Sequence, residues 1–317
     1  MELLDYKQGD EVHILELFKA TYGKSLSKDY WDWRFLKNPE GKVMIKLMWD
    51  GGKLVGNYAV SPVTLTYENT KILSALSMTT MTHPDYTGKG IFKELAEALY
   101  QEEQRKSGLK VVWGFPNSNS HYGFIKNLAW KNIEQIPVFS IEVTKIKEST
   151  FSLVEVTDKI TEKHVITESE LNSSYSVKAD RSLNYINWRY FAHPANKYHL
   201  FSVETNGQMF YAITKLFPSF QEKDKSEVDI LELSFPPDNE LLLQLINAIK
   251  KYYAKHDLVR LNLWLPLNDV KHIQLEKIGF TNSLPVTYFG CRVFDNNLKT
   301  SELSQNWFYS LGDSDIY

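Results

Sequence analysis

The chain has 317 residues, which corresponds to about two domains at roughly 150 residues per domain. Its hydrophobic fraction of 43% and aromatic fraction of 14% can bury large cores, which excludes wholesale disorder. The 36 basic and 39 acidic residues give a net charge of -3, which argues against a nucleic-acid partner because nucleic-acid-binding domains are normally strongly basic.

Composition also limits which cellular compartment and which kinds of metal or disulfide site are compatible with the chain. The single cysteine, Cys291, excludes a disulfide framework, fits a reducing compartment, and is expected in the core. No apolar run reaches the roughly 18 residues of a membrane span, and residues 1–10 do not resemble a signal peptide. The eight histidines show no metal-ligand spacing. We therefore expect a soluble cytoplasmic protein, a monomer or homodimer, without a metal, a nucleic-acid partner or a membrane span.

The predicted elements of the first half begin with a helix and an antiparallel hairpin, after which strands and helices alternate. The hairpin turn, Asp50-Gly51-Gly52-Lys53, supplies the positive φ that tight turns need. The predicted ranges are helix 11–21, strands 43–49, 54–65 and 72–82, helix 90–106, strand 109–115 and helix 118–127.

The second half repeats this order. Tyr30 to Pro39 recurs as Tyr185 to Pro194 at an offset of 155, and Trp113 to Asn117 has a partner in Leu263 to Leu267 at an offset of 150. The predicted ranges are strands 198–204, 209–216 and 229–235, helix 239–254, strand 258–265 and helix 268–278.

The duplication predicts an α/β chain of two domains, residues 1–145 and 146–317, each a mixed sheet with helices on both faces. The polar stretch 145–176 is interpreted as the linker between them. Both copies keep an adjacent Trp and Arg, at Trp33-Arg34 and Trp188-Arg189. Only the first copy keeps the loop described next, so we expect these pairs to serve the fold.

A glycine-containing loop follows the predicted strand 72–82. In His83-Pro84-Asp85-Tyr86-Thr87-Gly88-Lys89-Gly90-Ile91 the two glycines allow backbone N–H groups to face a ligand, and the following helix start adds donors and partial positive charge. Lys89 and Lys93 could add charge. The loop lacks the Gly-Lys-Ser/Thr of a Walker A motif and the third glycine of the dinucleotide fingerprint.

These residues carry a family resemblance. Residues 43–136 resemble a GNAT (Gcn5-related N-acetyltransferase) domain, whose acyl-CoA pyrophosphate loop commonly reads His-Pro-x-Tyr-Arg-Gly-x-Gly-Ile-Gly. Thr87 stands at the usual Arg or Gln, Phe92 at the usual second Gly or Ala, and Ile125 at the usual Tyr. Residues 117–130 resemble the family's following Asn…Leu-Gly-Phe segment. The whole chain looks like two such acyl-CoA N-acyltransferase folds in tandem.

The resemblance implies acetyl-CoA, or another acyl-CoA, as cofactor, bound in a splayed parallel strand pair. Residues Thr80 to Thr82 would bond the pantetheine amides through their backbone, the loop would hold the pyrophosphate, and Asn117 would sit near the acyl end. The second copy has Phe235 to Glu240 in place of the loop, without glycine, so we expect that it does not bind CoA and instead shapes the substrate pocket. The implied cofactor-binding residues are Thr80, Met81, Thr82, Thr87, Gly88, Lys89, Gly90, Ile91, Phe92 and Asn117.

Acyl transfer to an amine needs a neutral nucleophile, a polarised carbonyl and a proton for the departing thiolate. Strand 72–82 carries no Asp or Glu that could act as the base. The expected catalytic residues therefore lie elsewhere, at His121, at Tyr122 as the proton donor to the thiolate, and in the acidic tail at Asp315 and the terminal carboxylate of Tyr317. Asp313 is a further tail candidate.

Three functions remain open from the sequence. The first is an acyl-CoA-dependent N-acyltransferase, in the first instance an acetyltransferase, that modifies a small-molecule amine such as an amino sugar. The second is a Fem-type transferase that takes aminoacyl-tRNA, against which the retained glycine loop argues. The third is an inactive protein that senses acyl-CoA, which the substitutions at Thr87, Phe92 and Ile125 would fit.

Overall fold

The computed structural model describes residues 1–149, 154–219 and 221–316, except for the side chain of Pro285. The strands, in chain order, are β1 Glu2–Asp5, β2 Met44–Asp50, β3 Lys53–Tyr67, β4 Thr70–Thr82, β5 Val111–Gly114, β6 Lys131–Glu142, β7 Glu155–Thr157, β8 Val177–Ala179, β9 His199–Thr205, β10 Gln208–Pro218, β11 Ser226–Leu233, β12 Leu258–Leu263, β13 Thr281–Val293 and β14 Trp307–Phe308. The α-helices are α1 Glu11–Tyr22, α2 Lys28–Trp31, α3 Ile91–Ser107, α4 Ser118–Leu128, α5 Glu162–Leu171, α6 Leu183–Ile186, α7 Asn239–Tyr253, α8 His272–Ile278 and α9 Thr300–Gln305. No helix in these described ranges is both long and apolar enough to cross a membrane.

The chain divides into two units that are not consecutive in sequence. The first consists of Met1–Glu134 with Tyr288–Ser304, and the second of Gln135–Thr287 with Gln305–Tyr317. The boundary after residue 145 stays a prediction about the duplicated copies, which need not coincide with these units.

In the first unit, β1, β2, β3 and β4 form an antiparallel run, and β5 lies parallel to β4. On its other edge β5 pairs antiparallel with the part of β13 that belongs to this unit, with Gly290 opposite Gly114. Both faces of the sheet are covered. Helix α1 packs on one face around Ile14 and Leu17, and α3 packs on the other around Leu95 and Leu99. The predicted mixed sheet with helices on both faces is confirmed in this unit.

The second unit has a corresponding order of elements. Strands β7, β9, β10 and β11 are antiparallel neighbours, β12 is parallel to β11, and the end of β6 pairs antiparallel with β12. Helices α7 and α8 pack against one face through an apolar cluster that includes Leu245, Ile249 and Leu275. Strands β8 and β14 form a short parallel pair, with Trp307 opposite Val177.

Two features recur in both copies, and the first of them, the hairpin turn, was predicted from the sequence. Both hairpins turn through two residues with positive φ, Gly51 and Gly52 in the first copy and Asn206 and Gly207 in the second. Each Trp-Arg pair lies in a π-helical turn, closed by a 2.9 Å hydrogen bond from the Lys37 N–H to the Asp32 carbonyl and by its counterpart of 2.8 Å at residues 187 and 192.

Arg34 and Arg189 are both buried within these turns. The side chain of Arg34 donates to the sulfur of Met78, and that of Arg189 donates to the backbone carbonyls of Gly312 and Ser314. These contacts hold each turn against its own unit, as expected for residues that serve the fold.

Two boundary predictions differ from the structure. The stretch 145–176 is more than a linker, because it holds β7 and α5, and the side chain of His164 on α5 is buried. Helix α8 begins at His272 instead of residue 268, because the preceding backbone forms two turns. In the first, the Asp269 N–H donates to the Pro266 carbonyl, and in the second, the His272 N–H donates to the Asp269 carbonyl. Cys291 is fully buried in β13, as expected, and burial raises the pKa of its thiol to about 12.

Candidate acyl-CoA site

The glycine loop is fixed at both of its ends. The His83 N–H donates to the Val55 carbonyl at 2.9 Å, and Pro84–Tyr86 form a single 3₁₀ turn. The hydroxyl of Thr87 donates to the Pro84 carbonyl at 3.1 Å and closes this turn. Thr87 therefore has a local structural contact at the position where the family usually has Arg or Gln.

Gly88 and Gly90 give the loop its form. Both have left-handed backbone angles, with φ of 76° and 78°, which residues other than glycine adopt only with strain. Within the described part of the chain, no heavy atom lies within 4 Å of the place where a Cβ would stand at either position. The loop therefore leads into α3 past open space, and the unpaired N–H groups of the first turn of α3 follow directly.

Charge at the loop is arranged around Tyr86. The ammonium of Lys89 lies 4.2 Å from the centre of the Tyr86 ring, and the Tyr86 hydroxyl donates to a carboxylate oxygen of Asp50 at 2.8 Å. That hydrogen bond raises the pKa of Tyr86 and lowers the pKa of Asp50. Lys93 is exposed on the first turn of α3. Two lysines thus accompany the helix start.

Strands β4 and β5 separate beside the loop. Their parallel pairing joins Ser74, Ala75 and Leu76 to residues 111–113, and β4 then continues for six more residues to Thr82. On its other edge β4 stays paired with β3, although the register shifts between the Met78 and Met81 pairs. This is the splayed parallel pair that the resemblance implies, and it leaves one backbone edge of residues 77–82 turned away from β3.

The register shift produces a bulge centred on Thr79 and Thr80. Thr79 has a φ of 48°, an unusual conformation for a β-branched residue. Asn57 donates to the Thr79 carbonyl at 2.7 Å, and the Tyr22 hydroxyl donates to the Thr80 carbonyl at 2.8 Å. The Oγ1 atoms of Thr79 and Thr80 are buried and have no hydrogen-bond partner among the described residues. Strained backbone conformations cluster at functional sites, and a buried polar atom without a partner calls for an explanation such as a ligand.

Asn57 and Tyr22 did not emerge from the sequence. Their bonds to β4 span 22 and 58 residues, and no motif near either residue predicts such a partner. Positive φ in a strand has no sequence signal at a threonine either. These contacts were accessible only from the folded chain.

Phe92 points into the protein instead of toward the loop opening. Its ring lies 5.2 Å from that of Phe124 and 5.9 Å from that of Tyr58, and it packs against the core of the first unit. Ile91 is buried under the same helix turn. Phe92 therefore does not occupy the space beside Gly88 and Gly90.

Helix α4 carries the other predicted residues of this unit. The side chain of Asn117 caps the helix, because its Oδ1 accepts from the backbone N–H groups of Asn119 and Ser120 at 3.0 Å. His121 bonds to Asn132 through Nε2 at 2.6 Å and stacks on Tyr288 at 4.0 Å between ring centres. Tyr122 is 65% exposed, with the Lys126 ammonium 5.1 Å from its ring centre.

The acidic tail lies in the second unit. The carboxylate of Asp313 is buried and accepts a 2.7 Å hydrogen bond from Arg181, so Asp313 anchors the tail and is not a solvent-exposed base. Asp315 is half-buried. Tyr317, predicted to offer its terminal carboxylate, lies outside the described residues.

In the second unit, residues 235–240 stand where the first unit has the glycine loop, and a side chain of this segment caps the following helix. Asp238 caps α7 by accepting from the Glu240 N–H at 2.9 Å, and Phe235 just before it is buried. The carboxylate of Asp238 occupies the place that an anion would take at this helix start.

The first unit fits a thioester carrier with a diphosphate. Open space at Gly88 and Gly90, donors at the start of α3 and two nearby lysines suit the diphosphate, and the free edge of residues 77–82 suits an extended chain of amides. Within the ranges that the structure covers, no group of three or more His, Cys, Asp or Glu side chains could hold a metal ion.

Comparison with known proteins agrees with this geometry. Residues 3–132 match a family model described as an acetyltransferase (GNAT) domain. No curated protein matches the chain.

Solved structures match over most of the chain. They include a GCN5-related N-acetyltransferase from Anabaena variabilis, with a TM-score of 0.67, 13% identity, and coverage of 92% of this chain and 72% of that one. One from Kribbella flavida has a TM-score of 0.67, 14% identity, and coverage of 93% and 71%. A probable N-acyltransferase from Enterococcus faecalis has a TM-score of 0.67, 12% identity, and coverage of 92% and 72%. The chain therefore has the fold of the GCN5-related N-acetyltransferases and carries an acetyltransferase (GNAT) domain over residues 3–132.

Proposed function

We propose that the chain is an acyl-CoA-dependent N-acyltransferase that moves an acyl group, in the first instance acetyl, to the amine of a small molecule such as an amino sugar. One observation carries the proposal: β4 runs past the end of β5, bulges at Thr79, and leads into a loop whose Gly88 and Gly90 face open space at the start of α3.

The residues that would hold the cofactor form two groups, one for the diphosphate and one for the pantetheine amides. The N–H groups at Gly88, Gly90 and the first turn of α3 would bind the diphosphate, with Lys89 and Lys93 adding charge. The backbone of Thr80 to Thr82 would bond the pantetheine amides, apart from the Thr80 carbonyl, which accepts from Tyr22. When bound, acyl-CoA would supply an acyl group activated as a thioester, and CoA would leave as the thiol.

The reaction also requires two proton transfers, one from the amine and one to the thiolate. An amine is protonated at neutral pH, so it needs an acceptor before it can attack, and the thiolate needs a donor. On α4, His121 is held by Asn132 and Tyr288, and the side chain of Tyr122 is exposed. We keep His121 and Tyr122 as candidates for these roles, together with Asp315 and Tyr317 of the tail.

The proposal is tested in two steps. Calorimetric titration of the full chain with acetyl-CoA and with free CoA should give saturable binding. A thiol-release assay with acetyl-CoA and a panel of amino sugars, aminoglycosides and simple amines should then reveal an acceptor whose N-acetyl product is identified by mass spectrometry. Absence of CoA binding would overturn the proposal, and would leave an aminoacyl-tRNA-dependent transferase as the alternative to test.

A second candidate is a protein that binds acyl-CoA without catalysis. Two candidate site residues have structural contacts that favour this alternative, because Asn117 caps a helix and Asp313 bonds to Arg181. The lack of a carboxylate on β4 beside the bulge favours it as well. It predicts tight CoA binding without thiol release for any amine in the panel.

A further inference from the structure

The second unit contains a cavity of about 420 Å³ whose lining residues all belong to that unit. Its floor is one face of the sheet made by β10, β11, β12 and the end of β6. The opposite face of this sheet contributes Val228, Ile230 and Leu261 to the apolar core of the unit. A volume of this size is in the range of small-molecule sites.

The floor consists of two rows of residues that lie opposite one another on three neighbouring strands. Residues two apart on a strand share a face, so the two rows point to the same side of the sheet, and all their members line the cavity. In the order β10, β11 and β12, the first row is Lys215, Asp229 and Asn262, and the second is Phe217, Glu227 and Arg260.

The charges of the floor balance one another. Lys215 stands directly opposite Asp229, and the two opposite charges attract each other. Arg260 stands opposite Glu227, with its Nη1 3.7 Å from a carboxylate oxygen. A charged ligand would therefore have to compete with a charge pair that is already formed. The floor favours a neutral ligand that both donates and accepts hydrogen bonds.

Asn262 offers a buried acceptor to such a ligand. Its Nδ2 donates to Glu227 at 2.9 Å and to Asp229 at 3.0 Å, which fixes the orientation of the amide because both partners are acceptors. The Oδ1 of Asn262 has no hydrogen-bond partner among the described residues, although Asn262 lines the cavity and is only 6% exposed. A buried acceptor without a donor is costly, and the hydroxyl of a ligand would supply the donor.

The cavity also offers donors. Arg260 is half-buried, and its guanidinium carries five N–H groups, while only its Nη1 bonds to the side chain of Gln221, at 2.7 Å. Thr287 on β13 brings a further hydroxyl-bearing side chain to the lining. Donors and the Asn262 acceptor are thus present in one cavity.

Aromatic side chains form part of the walls. Phe217 and Trp264 line the cavity together with Val138 and Leu311, and Trp264 is only 6% exposed. The face of an aromatic ring carries partial negative charge, which attracts the C–H groups of a saturated ring. A pyranose ring meets both requirements, because its faces carry C–H groups and its rim carries hydroxyls.

We propose that this cavity binds a neutral sugar-like ligand, a pyranose whose hydroxyls bond to Asn262 and Arg260 and whose C–H face lies against the aromatic wall. Each hydroxyl has one donor and two acceptor lone pairs, so one hydroxyl donates to Asn262 and another accepts from Arg260 without displacing either charge pair. The site belongs to the second unit alone and does not depend on CoA binding by the first.

The test uses the full chain without CoA. Phenyl glycosides of glucose, galactose, mannose and xylose are titrated by calorimetry, with saturation-transfer NMR for weak binding. Two comparison compounds are 2-phenoxytetrahydropyran, which has the same rings without hydroxyls, and phenylalanine, which is a zwitterion. At least one glycoside should bind at least about tenfold more tightly than both, because only the glycosides offer neutral hydroxyls to the floor.

Three results would overturn the proposal. The first is a lack of binding of every glycoside at millimolar concentration. The second is an equal or tighter affinity for 2-phenoxytetrahydropyran, which would make the cavity a purely apolar site. The third is an equal or tighter affinity for phenylalanine, which would make it a site for a zwitterion.

Two variants localise the binding. Asn262→Leu keeps the approximate shape of the side chain, removes the buried acceptor, and should weaken the glycoside by at least about tenfold. Its matched control is Asn184→Leu, at an exposed asparagine on α6 in the same unit. Val138→Phe fills the cavity, leaves every polar group intact and should also weaken the glycoside, with Val156→Phe on β7 as its exposed control.

The second variant keeps the test decisive if Asn262→Leu fails to fold. Unchanged glycoside affinity in a folded Asn262→Leu or Val138→Phe protein would place the glycoside elsewhere and refute the assignment.

The outcome is separable from the proposed function. Gly90→Asp should lose CoA and keep the glycoside, whereas Asn262→Leu should do the reverse. Failure of either ligand alone therefore bears on one proposal only.

Discussion

The hydroxyl of Tyr22 on α1 reaches across to β4 and donates a 2.8 Å hydrogen bond to the backbone carbonyl of Thr80. Asn57 holds the neighbouring carbonyl of Thr79 from β3. The bulge of β4 is therefore fixed from two elements, and its conformation depends on side chains distant in sequence. A bulge fixed in this way presents the same backbone edge to every ligand.

Tyr22→Phe should lower kcat/KM for acetyl-CoA about three- to tenfold, because one hydrogen bond of about 0.5–1.5 kcal/mol that positions the Thr80 carbonyl is lost. The melting temperature should change little, since Tyr22 is 47% exposed. Steady-state kinetics measure the effect. Tyr67→Phe is the control, because it also removes one tyrosine hydroxyl contact, to Glu302, at the far end of β3. Equal kinetics for both variants would refute a role of Tyr22 in the site.

Gly90→Asp should abolish detectable CoA binding, because a carboxylate would repel the diphosphate. The variant also strains a backbone with a φ of 78°, so Gly108→Asp is the matched control. Gly108 ends the same helix with a φ of 71° and the same open surroundings. Both variants should lose about 1 kcal/mol of stability, and only the first should lose CoA in calorimetry. Wild-type affinity in Gly90→Asp would remove the loop from the site.

Arg181→Met should lower the free energy of unfolding by about 3–5 kcal/mol, because it leaves buried carboxylates without their partner. Arg181 donates to Glu232 at 3.1 Å and to Asp313 at 2.7 Å, and burial raises the pKa of Glu232 although Arg181 opposes the shift. Urea denaturation measures the loss. Lys163→Met breaks an exposed pair with Glu204 and should cost less than about 1 kcal/mol. Similar losses in both would contradict the buried network.

Truncation of the tail separates anchoring from catalysis. Removing residues 315–317 keeps Asp313 and the Ser314 carbonyl that accepts from Arg189, so the fold should remain stable. If Asp315 or Tyr317 handles the proton of the amine, turnover should fall by about 100-fold with little change in CoA affinity. Full turnover after truncation would make the tail a structural element. Removing Asp313 as well should destabilise the unit.

Stability should fall when the pH drops below about 6.5, in part through two histidines. Burial lowers the pKa of His164 and of His199, so the unfolded chain takes up protons at a higher pH than the folded chain. Their contribution is complete above the unfolded pKa and is lost on acidification toward the folded one. The double variant His164→Gln/His199→Gln should reduce the loss in free energy of unfolding between about pH 7.5 and about pH 5.5. Urea denaturation at the two pH values measures the loss, and an equal loss in the double variant and the wild type would contradict the prediction.

Local signals were readable from the sequence. The hairpins follow from Asp-Gly and Asn-Gly turns, and the loop from its glycines between a strand and an amphipathic helix. The bulge at Thr79 was not readable, because the bonds of Asn57 and Tyr22 that hold it join distant residues. The same holds for the Arg181 network, whose partners lie 51 and 132 residues away. Chain-distant pairings of this kind leave no periodicity that a single sequence can display.

The presence of Tyr288–Ser304 in the first unit has a consequence for biosynthesis. The edge of β5 is covered by residues 290–293, so its sheet stays incomplete until residue 293 has left the ribosome. During translation that edge is an unprotected template for other strands. A gene fragment encoding residues 1–145 should therefore yield aggregates, and co-expression with the complementary fragment should rescue its solubility.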